Sequence, residues 1–194
     1  AMSPATPPWK HPMRRAARSL SPADGLAVLR RGAWGVLSLT APGGHPYGVP
    51  LNYALWEPDP APELPSTADA PFPPGFSLVF HSAMYGLKLD ILSAAPEACF
   101  TVAPEVEVNP AGLTTRYESA LVFGSVSVLK GVRRDAALLH LGRRFSAAYP
   151  EALARTLERS GPQTTALLMD IRGLTGKFNG ERSRPSGPPD ADRL

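Results

Sequence analysis

The chain has 194 residues, the size of one domain, and its 43% hydrophobic content is enough to build a packed core. It contains no apolar run near the roughly 20 residues needed to cross a membrane. Its single cysteine, Cys99, excludes an internal disulfide framework and a cysteine-rich zinc site. The net charge of +3 sits in separate pairs (Arg14-Arg15, Arg30-Arg31, Arg133-Arg134, Arg143-Arg144) and not in one basic run. Nucleic-acid binding needs a concentrated phosphate-facing surface, so it is not expected, and the pairs read as solvated helix faces. The basic start has no hydrophobic stretch behind it, so the expected location is cytoplasmic, with no membrane partner.

Residues 1–12 read as an N-terminal extension, partly disordered, and 13–180 as the folded domain. A helix starts at Pro22, with Ser21 as its cap and Asp24 at capping-box spacing, and Gly32 ends it. AWGVLSLT (33–40) and YGVPLNYALW (47–56) read as a hairpin joined by a Gly-Gly turn. Pro50 lacks an N–H, which demands an edge strand or a bulge there. Residues 57–75 hold seven prolines and almost no apolar periodicity. They read as a peripheral insertion, either mobile or resting over the groove, that a short Gly-Ser turn could replace with the fold intact.

A third strand is expected at 76–82, a short helix from about Tyr85 to Ala94, and a fourth strand at 98–104. After the irregular 105–112 comes a long strand over 114–131, with Gly124 marking a bend or bulge. DAALLHLGRRF and PEALARTLERS are helical. TTALLMDIRGL (164–174) is the last strand, and the glycine-containing TGKFNG reads as a turn. The tail 181–194 has a disordered composition. About six hairpin-connected strands with few βαβ alternations indicate a mainly β fold with peripheral helices, an antiparallel barrel.

The polar residues that could do chemistry concentrate in VFHSAMYGLKLDIL (79–92). A chain leaving a strand for a helix points free N–H groups and a positive helix end outward. Ser82 offers a hydroxyl, Gly86 permits close approach and Lys88 brings a charge, which together suit a phosphate. The alternative is that Ser82 merely caps the helix and Lys88 pairs with a carboxylate in solvent. His81 is open to three roles: ligand contact, proton donor or satisfied core histidine. The four histidines are scattered singly, so no metal site is expected. Cys99 reads as a small buried hydrophobe. Only four lysines stand against sixteen arginines, and Lys88 and Lys177 both lie near glycines.

Six pieces occur in an order that resembles the FMN-binding split β-barrel proteins related to pyridoxamine 5'-phosphate oxidase, in the branch of nitroimidazole-resistance reductases. They are Arg14-Arg15, GVLSL (35–39), HPYGVPLNYA (45–54), VFHSAMYGLKLDIL (79–92), RYESALVFGSVSVL (116–129) and LTGK (174–177). The resemblance implies a six-stranded antiparallel split β-barrel that forms a homodimer, with FMN in each of two interfacial grooves. It places His81, Ser82, Gly86 and Lys88 by the flavin phosphate and ribityl chain, and Pro50, Leu51 and Asn52 along the isoalloxazine ring. Tyr117 and Ser119 approach from the long strand and Lys177 from the C-terminal turn.

The implied function is an FMN-dependent oxidoreductase that reduces a small planar acceptor such as a nitroaromatic, with NAD(P)H binding transiently as reductant. A non-enzymatic flavin- or haem-binding redox protein on the same barrel is the alternative. No catalytic residue is assigned, His81 being the candidate. The arginine and histidine pattern of the true vitamin B6 oxidases is not recognisable near the C-terminus, which argues against that activity.

Overall fold

The computed structural model describes residues 6–180, and the tail expected at 181–194 lies outside the described residues. Ser21 caps α1 (Pro22–Arg31) as its spacing predicts: its Oγ accepts from the Asp24 N–H at 3.2 Å and donates to the Asp24 carboxylate at 2.8 Å. The chain then forms the hairpin of β2 (Trp34–Thr40) and β3 (Pro46–Asn52). Its turn runs through Gly43 and Gly44, with φ of +83° and +82°, a region that L side chains rarely adopt.

The remaining strands are β4 (Ala54–Trp56), β5 (Ser77–Ala83), β6 (Glu97–Val102), β7 (Val106–Asn109), β8 (Thr114–Val128) and β9 (Thr164–Asn179), with a two-residue β1 (Ser19–Leu20) at the start. All pair antiparallel, in the order β3-β2-β6-β8-β9-β5-β4, with β1 on β9 and β7 on β8. The two ends of that order, β3 and β4, are separated by Tyr53 alone. The sheet therefore curls until one stretch of chain serves both of its edges, and the result is a six-stranded barrel of the expected class. Pro50 lies on β3, which pairs through the ladder on one side only, the edge position that its missing N–H demands.

The interior is filled by alternate strand residues such as Leu37, Leu78, Phe80, Phe100, Val122 and Met169, closed at one end by Leu26, Val28 and Leu29 of α1. Tyr53 is fully buried there and its hydroxyl donates to the Leu29 carbonyl at 2.6 Å. A second apolar layer forms outside the barrel. In it Ala137, Leu138 and Leu141 of α3 (Gly131–Ser146) cover Ala54, Val79 and Ala166, with α4 (Pro150–Ser160) stacked beyond. At Gly124 the β8–β9 register shifts, and an added Cβ would stand 1.8 Å from the Asp170 carbonyl oxygen. Only glycine permits that crossing.

Several local expectations are corrected. The segment TGKFN is not a turn: β9 runs through it to Asn179, and Lys177 is held in the ladder opposite Ser119 on β8 and Ser19 on β1. Gly176 is required there because Leu20 packs on it, 2.7 Å from where a Cβ would be. The 105–112 stretch is not wholly irregular, since β8 supplies a partner for β7. The helix α2 (Leu87–Ala94) begins two residues later than its sequence suggests.

Nor are the arginines only solvated helix faces. Arg31 pairs with the buried Glu118 of β8, and Arg30 holds Glu57 in a fork at 2.9 and 2.8 Å. Arg144 donates to the Arg30 and Gly32 carbonyls that end α1. Within residues 1–12, which read as an extension, Trp9 packs on Gly173 and lies 5.6 Å from the Phe123 ring.

The proline-rich 57–75 segment is tied down rather than free. Its Leu64 and Phe72 pack against the barrel core, Phe72 lies 5.2 Å from Phe76, and the Ala23 N–H of α1 donates to the Pro65 carbonyl. Prolines conceal this, because two isolated apolar residues carry no period. Phe72→Ala is therefore expected to destabilise by about 2 kcal/mol, below the range for a fully buried phenylalanine. Urea unfolding measures this, and a midpoint equal to wild type would restore the peripheral reading.

Candidate functional site

Strand alternation decides which candidate residues meet. On β5, Leu78 and Phe80 face the barrel interior and Val79 faces α3, so Ser82 and His81 leave the sheet on opposite sides. Ser82 is buried and opens into a small cavity of about 190 Å³ together with Tyr47, Gly86 and Lys88. His81 lines a larger cavity of about 590 Å³ between the barrel and α3–α4, with Asn52 beside it. The two cavities share the end of β5 as a wall.

The bland readings of Ser82 and Lys88 do not describe this corner. The residue at the cap position of α2 is Gly86, with no side-chain cap, while Ser82 sits inside β5. Among the described residues no carboxylate pairs with Lys88, which is half-buried. Burial lowers its proton affinity below that of an ordinary lysine. Gly86, at φ +129°, faces open space where a Cβ would stand. A cation without a counter-charge, a hydroxyl and a helix start therefore surround one cavity, which is the donor set for an anion.

His81 is partly open to solvent, yet burial and then the charge of Lys88 pull its proton affinity below the usual histidine value. The unfolded chain thus takes up a proton at higher pH than the folded one, and stability is lost as pH falls below about 6.5. His81→Gln should flatten this: between about pH 7 and pH 5 its melting temperature should fall less than that of wild type. Equal slopes would mean that His81 titrates alike in both states. Of the other histidines, His140 is the satisfied kind, its Nε2 2.8 Å from the Leu55 carbonyl oxygen and its ring stacked on Trp56.

Pro50, Leu51 and Asn52 end β3 near this corner. Pro50 and Asn52 are exposed, and Asn52 donates through Nδ2 to the Ala33 carbonyl at 3.1 Å. Tyr117, Ser119 and Lys177 do not join them. They cluster at the other end of β8 and β9, where Ser119 Oγ donates to the Lys177 carbonyl at 3.5 Å. His81, by contrast, pairs with Ala166 near the start of β9. One chain therefore carries two separate groups of the expected residues. Sequence reading missed the large cavity itself, whose lining of Leu138, Leu141, Leu153 and Leu157 looks like ordinary helix packing. The signal was the apolar stripe of α4, a helix with no buried residue. Among the described residues no cluster of three or more potential metal ligands occurs. No helix there is long and apolar enough to cross a membrane.

The fold is shared with solved structures at low identity. A protein described as an FAD and haem binding protein from Mycobacterium smegmatis is 20% identical, with a TM-score of 0.64 over 90% of this chain and 77% of that one. The flavocytochrome Anf3 from Azotobacter vinelandii is 14% identical, with a TM-score of 0.63 over 95% and 90%. A candidate 5-nitroimidazole antibiotic resistance protein from Bacteroides thetaiotaomicron is 19% identical, with a TM-score of 0.57 over 80% and 82%. No curated protein matches the sequence. The family profile described as pyridoxamine 5'-phosphate oxidase matches residues 21–177, from the cap of α1 to Lys177, and the chain belongs to that family.

Proposed function

We propose that this protein binds FMN and acts as an oxidoreductase on a small planar acceptor such as a nitroaromatic. The observation that carries the reading is the anion cavity: Lys88, half-buried and without a carboxylate among the described residues, beside Ser82 and Gly86. A flavin phosphate fits this donor set. Lys88 and Ser82 would hold the phosphate, and the free edge of β3 at Pro50, Leu51 and Asn52 would offer backbone groups to the ring. His81 stays neutral at neutral pH and so adds no charge there. The bound flavin would supply electron transfer, drawing on transiently bound NAD(P)H.

The separation of Tyr117, Ser119 and Lys177 from this corner is what a homodimer would resolve. In our reading each groove takes Lys88 from one protomer and Lys177 of the partner subunit. Mixing tests it. Lys88→Ala and Lys177→Ala proteins, each weak in FMN binding, should recover up to one wild-type groove per mixed dimer after subunit exchange. No recovery, or a monomer by light scattering with flavin bound, would overturn the two-chain groove.

A second reading, a non-enzymatic flavin- or haem-binding redox protein, is favoured by the shared fold of the two structures described as binding haem or as a flavocytochrome. A haem needs an axial ligand, and His81 lines the larger cavity. Visible absorption of the purified protein separates the readings. Flavin bands support the first, a Soret band the second, and neither would remove both.

A further inference from the structure

The larger cavity has properties that the anion corner does not need. Its volume of about 590 Å³ is that of a small-molecule site, and no aspartate, glutamate, lysine or arginine lines it. One side is formed by Leu138 and Leu141 of α3, and the facing side by Leu153 and Leu157 of α4. The helices approach closely at Gly142, where a Cβ would meet Leu153 at 2.4 Å, and the space beside that contact stays open. No residue of α4 is buried although the helix is clearly amphipathic, and its apolar face borders this space. So much apolar surface left around an open cleft forfeits packing. At the barrel end His81 and Asn52 line it, and the helices add only the hydroxyls of Ser146, Thr156 and Ser160, so every polar lining group is one that carries no fixed charge.

We propose that the cavity between α3, α4 and the end of β5 binds an uncharged aromatic small molecule, its apolar body between the helices and its polar edge toward His81 and Asn52. The absence of charged lining groups selects against ions, since a buried charge without a partner is costly. As the seat of the acceptor, this site rests on the function proposed above and narrows the substrate class to neutral aromatics. As a ligand pocket it stands independently of that function. The end of β5 is the wall between this cavity and the anion corner, so an occupant would lie next to whatever Lys88 holds.

The experiment uses the purified full chain with neutral N-phenyl-1-naphthylamine as fluorescent probe, its sulfonated relative anilinonaphthalene sulfonate as the charged comparison, and nitrobenzene as competitor. Thr156 lines the cavity from an exposed position on α4, so Thr156→Trp fills the space with little risk to folding. The expected result is that the neutral probe binds, nitrobenzene displaces it, and Thr156→Trp weakens both by more than tenfold, with FMN affinity at the wild-type level. Equal binding of the sulfonated probe would overturn the selectivity for neutral molecules. A parallel loss of FMN affinity would make the cavity part of the flavin seat, and a change in oligomeric mass would make it a contact with a second copy; either overturns the inference. If no variant, wild type included, binds flavin while the neutral probe still responds to Thr156→Trp, the proposed function falls and this pocket stands.

Discussion

Lys88→Ala is expected to lower the affinity for FMN by roughly 10- to 150-fold and to leave the affinity for riboflavin nearly unchanged. The substitution removes a charge-assisted contact to phosphate worth about 1.5–3 kcal/mol, and each 1.4 kcal/mol is tenfold in affinity. Riboflavin has the same ring and ribityl chain but no phosphate, so it reports any indirect effect through the fold. The structure adds to the expectation in two ways: no carboxylate among the described residues competes for Lys88, and burial already disfavours its charge. A bound phosphate would restore that charge. Lys130→Ala is the control, since Lys130 is exposed just ahead of α3 and lines neither cavity. Fluorescence titration of both flavins into the three proteins decides the matter. Equal losses for both flavins would assign Lys88 to the fold, and no loss would return it to the solvated surface.

The largest effect on stability is expected from Glu118→Ala. The Glu118 side chain is 8% exposed and Arg31 only 20%, and the two form an ion pair that joins the end of α1 to β8. The Arg31 Nε is buried with no hydrogen-bond partner of its own, so the carboxylate is the main compensation for this guanidinium. Removing one partner of a buried pair costs about 3–5 kcal/mol, and the residual exposure of Arg31 favours the lower figure. For a domain of this length, about 3 kcal/mol corresponds to a fall of roughly 6–12 °C in melting temperature. Arg31→Met with Glu118→Leu should recover most of the loss, because two apolar groups of similar size leave no charge unpaired. Calorimetry on the two variants checks it: a neutral single variant, or a double variant worse than the single one, would show that the pair is solvated.

Glu118 precedes Ser119 and opposes Phe178, the neighbour of Lys177. The same variants therefore bear on the second half of the proposed groove. If the ion pair positions this end of β8, Glu118→Ala should weaken FMN binding even below its melting range, and the apolar double variant should restore it together with stability.

Much of this protein is determined by local sequence alone. Ser21, Pro22 and Asp24 start α1 because capping and the fixed φ of proline act within a few residues. The Gly43-Gly44 turn, the edge position of Pro50 and the crossing at Gly124 follow from what glycine and proline can and cannot do. The ordered pieces from the first helix to LTGK carried enough of the chain for the family to be named, which the profile match over 21–177 establishes.

What only the tertiary structure decided depends on partners distant in sequence. TGKFN is a strand because β8 and β1 pair with it, although its glycine reads as a turn. Leu64 and Phe72 anchor the proline-rich segment because a core happens to lie beneath them, which no local period announces. His81 and Ser82 are adjacent in sequence, yet the pleat of β5 sends them to different cavities. Residues that read as one cluster are therefore divided between an anion corner and an apolar pocket. Lys177, which reads as part of the same site, is placed by the register of β9 at the far end of its strand. Side-chain identity is written in the chain; which side chains share a space is set by long-range pairing and by the curl of the sheet.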